Sequence, residues 1–190
     1  MDNDVKIYKP KSELTAQPEL ASVLQTVNTQ RTNGNMEKAR QLGRLFATLN
    51  PSAESDKLSI DFSERIGREF LTRENLIQIK VLMVFSAEAA MRIYLPELLA
   101  NTASNALYDY LRKHDNEFYK IISDSTAFTF YYLAIKKGGD LARYVGEAFA
   151  MLCGAEKNEA CVQAGKTAYE VSMQQILNEI EDAQFVDVNI

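Results

Sequence analysis

The 190-residue chain is 46% hydrophobic and 25% charged, ordinary values for one globular domain long enough to bury a core without metals or disulfides. Its net charge of −5 argues against nucleic acid as the main partner, since phosphate contacts need a basic surface. With four prolines and eight glycines, helix breakers are scarce enough to indicate an all-α chain. The opening MDNDVKIYKPKSEL is polar and mixed in charge, unlike a secretory signal, and with two cysteines it fits a cytoplasmic setting. Cys153 and Cys161 read as packed thiols rather than a redox pair.

Residues 1–16 read as a polar tail, extended at Val5–Tyr8, with Pro10 barring a long helix. The domain proper is expected over 17–183. A helix over 18–31 would place Pro18 in its first turn and Leu20, Val23, Leu24 and Val27 on one face. Asn33-Gly34-Asn35 is a turn. A second helix, 36–49, spaces Ala39, Leu42, Leu45, Phe46 and Leu49 for one face and completes a hairpin. Asp61-Phe-Ser-Glu64 has the form of a capping box before a helix aligning Phe62, Ile66 and Phe70.

The stretch that organises the chain follows: a helix over about 73–95, capped by Thr72 and apolar on almost every side from Leu76 to Tyr94. Such a helix must be wrapped by its neighbours. Lys80, Glu88 and Arg92 interrupt every window long enough to span a bilayer, so no membrane is expected.

Pro96 opens a helix over 96–113 whose inward face reads Leu99, Ala103, Ala106, Leu107, Tyr110 and Leu111. Asp115 caps a shorter helix with Phe118, Ile121 and Ile122. The run TAFTFYYLAI over 126–135 also has strand character, but it is read as helix ended by Lys136-Lys137-Gly138-Gly139. Asp140 caps a helix over 141–153, stopped by Gly154. In the last helix, about 157–182, Tyr169, Met173, Ile176 and Ile180 continue a narrow seam from Val162. It suits a partner helix or a groove on its own domain. Residues 184–190 alternate like a strand and could pair with Val5–Tyr8.

Two segments echo one another. Ala39–Leu49 and Ala142–Leu152 share the pattern A-R-x-φ-G-x-x-F-A-x-L, each after a Gly–Asn or Gly–Asp turn and each the second arm of a hairpin. Gly34-Asn35-Met36, Ala39, Ala47 and Pro51 make the first hairpin resemble one tetratricopeptide-type unit. The first helix lacks that family's large aromatic and Leu-Gly pair, and no 34-residue period follows, so the chain is not assigned to it.

No catalytic or metal constellation survives inspection, and no cofactor is expected. A di-iron bundle needs Glu-x-x-His pairs, but the single histidine, His114, has no glutamate three residues before it. It stands at a helix C-terminus, where imidazole is favourable anyway. Gly138-Gly139-Asp140 offers N–H groups to an anion, but Asp140 sits where the anion would go.

Two features could carry function. Glu88 and Arg92, four apart on the core helix, either face water or form a buried pair beside Phe128, Tyr131 and Tyr132, which could line a pocket for a small apolar ligand. The seam of Tyr169, Met173, Ile176 and Ile180 could dock a partner. The sequence thus describes an all-α domain of about eight helices, layered as hairpins around a buried 73–95 helix. Its leading function is a non-catalytic interaction module, forming a homodimer or docking another protein.

Overall fold

Every residue from Val81 to Met91 is buried, about three turns of helix with no face left to solvent. The rest of the chain is arranged to cover it. The computed structural model describes residues 12–49 and 70–186, together with Glu64 and Ile66 in helical backbone, and side chains from residue 21 onward. Among the described residues the fold is all-α, without strands. Its helices are α1 Ser12–Thr32, α2 Asn35–Thr48, α3 Arg73–Tyr94, α4 Glu97–His114, α5 Asn116–Asp124, α6 Ala127–Lys136, α7 Leu141–Leu152 and α8 Glu159–Asp182. None of the described helices is long and apolar enough to cross a membrane.

The helix boundaries follow from short polar side chains at the expected places. Thr72 accepts the Asn75 N–H at 3.3 Å to open α3, and Asp115 accepts the Phe118 N–H at 3.2 Å to open α5. Asp140 does the same for α7 through Arg143, and Asn158 receives the N–H groups of Ala160 and Cys161 to start α8. Gly154 adopts φ +68°, a left-handed conformation that lets Gly154 and Ala155 cap the last carbonyls of α7. Gly34, at φ +84°, makes the turn between α1 and α2.

Two tight helix pairs enclose α3. On one side α2 packs along α4; on the other α7 packs along α8, with α6 lying over α7 and α3. The echoed glycines set both pairs. A Cβ on Gly43 would stand 2.0 Å from the Ala103 carbonyl oxygen of α4, and one on Gly146 would stand 2.4 Å from the Val162 carbonyl oxygen of α8. Only hydrogen permits this approach. Phe46 and Phe149, three residues beyond each glycine, are both buried beside the contact.

The echo therefore marks tight helix pairs as well as the second arms of hairpins. α2 is joined to α1 by the Gly34 turn, yet its main partner is α4, because Gly43 faces Ala103 rather than α1. The start of α1 also differs: it begins at Ser12, within the expected tail, and Pro18 lies in its second turn. The proline removes one N–H and leaves the backbone on either side helical. α8 begins at Glu159, two residues later than expected, because Asn158 holds the cap. The capping box at 61–64 and the strand clip with residues 5–8 fall outside the described residues.

In the first half of the buried helix, Lys80 is tied down across the fold. Its Nζ lies 2.6 Å from the Asp115 carboxylate and 4.2 Å from the Phe118 ring centroid. Burial pushes the Asp115 carboxyl up, but the Lys80 hydrogen bond, the Phe118 N–H and the Lys80 charge outweigh it and leave the group below its ordinary value. A carboxyl lowered on folding contributes stability that is present above its unfolded pKa and is lost as pH falls through its folded one. The stability advantage of wild type over Lys80→Met should therefore shrink as pH falls below 3.8, followed by urea titrations across a pH series. A gap that stays constant into acid would remove the ion pair from the account.

Candidate functional site

Of the charged pair on α3, Arg92 reaches water and Glu88 does not. Glu88 is only 7% exposed, and its carboxylate collects donors from three directions. The Tyr108 hydroxyl of α4 donates a short hydrogen bond to Oε2, while Oε1 accepts from the Tyr132 hydroxyl of α6 at 3.2 Å. One turn on, Arg92 places Nε and Nη2 at 3.0 and 2.9 Å from the same Oε1. Burial first, and then the bond to Glu88, push the Tyr108 phenol far above its ordinary range, so it stays a donor. A buried carboxylate with this many donors is satisfied, and what it does is tie α3, α4 and α6 together.

Of the five residues expected to line a ligand pocket, the structure unites Glu88, Arg92 and Tyr132 around that carboxylate. Phe128, Tyr131 and Tyr132 do gather, but around Phe85 of α3, whose ring centroid is 5.5, 5.0 and 5.1 Å from theirs. Phe85 fills the space the apolar ligand was expected to take. Tyr131 is fully buried and turned the other way: its hydroxyl makes no hydrogen bond among the described residues and lies near Cys153 and Cys161. Both cysteines are free thiols. Burial, and then its neighbour Cys161, pushes the Cys153 thiol up to about 12, which keeps it protonated and unreactive.

The seam on α8 is part of the core. Tyr169 and Ile176 are buried, and Met173 and Ile180 are half-buried against the same core. The helical spacing was read correctly; the groove it fills belongs to this chain, between α7 and α3.

Sequence inspection missed three features. Tyr108 was left off the inward face of α4, although a buried Glu88 demands a donor from some neighbour. Asn35 is buried in the first turn of α2, where its side-chain amide pairs with the Val186 backbone in both directions, at 2.8 and 2.9 Å, and also donates to Gln30 at 2.7 Å. Arg40 and Arg44, spaced four apart after Met36, line a groove with the C-terminal half of α4. The i, i+4 spacing was the available signal for this last feature.

Among the described residues, α1 exposes apolar side chains. This helix packs chiefly on α2, and Val23 and Leu24 are 57% and 54% exposed. An open hollow of about 720 Å³ runs along the same helix past Leu24 and Asn28. α6 also exposes Phe130 and Leu133, but its outer face ends in Lys136 and Lys137, and exposed apolar residues in pairs are ordinary. No family model matches the chain, and no match to it was found among curated proteins or solved structures, so its function has to be argued from these surfaces.

Proposed function

We infer that the protein is a non-catalytic interaction module whose α1 docks against a partner helix, the partner being a second copy of the same chain. The observation that carries this is the exposure of Val23 and Leu24 on α1, with the half-buried Val27 one turn on from Val23. From Leu20 to Gln30 the helix has no charged residue. Two copies can therefore meet along α1 without like-charge repulsion, although each chain carries a net −5. So small an apolar patch falls well short of the area of a stable interface, so the dimer is weak and reversible.

Sedimentation equilibrium is the test. Wild type should associate at high micromolar concentration, and Leu24→Glu should weaken association at least tenfold, about 1.4 kcal/mol, with helicity unchanged because the side chain is exposed. Ile176→Asp makes the contrast: it puts a carboxylate into the core and should unfold the chain. A wild-type protein that stays monomeric at those concentrations overturns self-docking through α1.

A further inference from the structure

A second flank of α2 carries Met36, Arg40 and Arg44 on successive turns and meets α4 in a groove of about 380 Å³, within the size range of small-ligand sites. Its charge is opposite to that of the molecule as a whole. Arg40, Arg44 and Lys113 converge on it, and these three cations outnumber the lining carboxylate, Asp109, which also pairs with Arg112 at 2.7 Å. Glu37 lies 3.1 Å from Arg40 and 3.9 Å from Arg44, in an exposed arrangement of the kind that contributes little in water. Both guanidiniums are therefore available to a stronger anion. Arg143, which matches Arg40 in the echo, does not line the groove.

The far end of the groove is aromatic. His114 closes α4 and stacks on Tyr110, with ring centroids 4.3 Å apart. Met36 and Ala106 provide apolar floor. The groove's width is set next door, where Gly43, lying between Arg40 and Arg44 in sequence, lets α2 close on Ala103.

We propose that the α2–α4 groove binds a small phosphorylated organic molecule, its phosphate held by Arg40, Arg44 and Lys113 and its body laid along the Tyr110–His114 stack. A phosphate monoester carries close to two charges at neutral pH and three acceptor oxygens, which suits two fork-shaped guanidiniums and one ammonium better than a single carboxylate does. Three cations in one short groove do not make the basic stripe a nucleic-acid backbone needs.

The probe is phenyl phosphate, titrated into the full chain and followed by NMR of the arginine side chains and the His114 ring. Saturable shifts are expected at Arg40, Arg44 and His114, with affinity reduced at least tenfold in the Arg40→Gln/Arg44→Gln double variant and unchanged in Arg143→Gln. Both variants alter exposed side chains, and circular dichroism verifies that they fold. His114→Ala should weaken phenyl phosphate while leaving inorganic phosphate unaffected. Absence of a saturable response, or equal affinity in the double variant, overturns the proposal. Sedimentation of the same samples reports on α1 separately, so either reading can fail without the other.

Discussion

Gly43→Ala is expected to lower the unfolding free energy by about 3 kcal/mol, the upper part of the usual overpacking range. The added carbon would stand 2.0 Å from a backbone carbonyl of α4, which cannot rotate aside as a side chain would, so the two helices must part. On an exposed helix the same change would gain roughly 1 kcal/mol, because alanine is the better helix former. The sign alone therefore tests the packing. Gly146→Ala, against the Val162 carbonyl, should behave alike, and because the two contacts belong to separate helix pairs their losses should add. Urea midpoints at unchanged slope measure both. A Gly43→Ala protein more stable than wild type would show that α2 and α4 do not meet there.

The second large effect is expected at Glu88. Glu88→Ala should cost about 3 kcal/mol, since it leaves the buried Tyr108 hydroxyl without an acceptor and detaches α3 from α4 and α6. Tyr108→Phe removes one donor from a carboxylate that keeps two others, and should cost about 1.5 kcal/mol. Because the two residues share one bond, their losses should be less than additive in a double-mutant cycle. Glu88→Gln, which keeps an acceptor, should fall between wild type and alanine. Equal losses for glutamine and alanine would show that the carboxylate is not what joins the three helices. If Glu88 instead served a ligand, its replacement would leave folding untouched.

These two sites also show what a single sequence reveals. The buried helix was legible because the eleven consecutive buried residues, Val81 to Met91, are nearly all apolar, and the charges at Lys80, Glu88 and Arg92 set aside a membrane span. Caps at Thr72, Asp115 and Asp140 were legible because the bond from a short side chain to the backbone three residues on is local. Partnership was not. The spacing of Tyr169, Met173, Ile176 and Ile180 defines an apolar face but not whose groove receives it. The repeated glycine pattern revealed that something approaches closely, while the identity of that neighbour, α4 for Gly43 and α8 for Gly146, depends on long-range topology.

The same distinction governs the candidate sites. Glu88 and Arg92 were found by being out of place on an apolar helix, and the pair is real. The aromatic run 126–135 gives no hint that Phe85 would fill the space among its rings. The α2–α4 groove was invisible as a unit: Arg40 and Lys113 are 73 positions apart by number and become neighbours only when Gly43 seats one helix on the other.

The side-chain amide of Asn35 imitates a strand edge, offering one donor and one acceptor to the Val186 backbone across a separation of 151 residues. No other described hydrogen bond between side chain and backbone closes so much of the chain into a ring. A loop of that length carries a high closure entropy for two bonds, so this latch forms once the bundle has already brought α2 and the end of α8 together. It is also the natural place for the native chain to open first. The start of α2 and the segment after α8 would then part while the central helix stays enclosed.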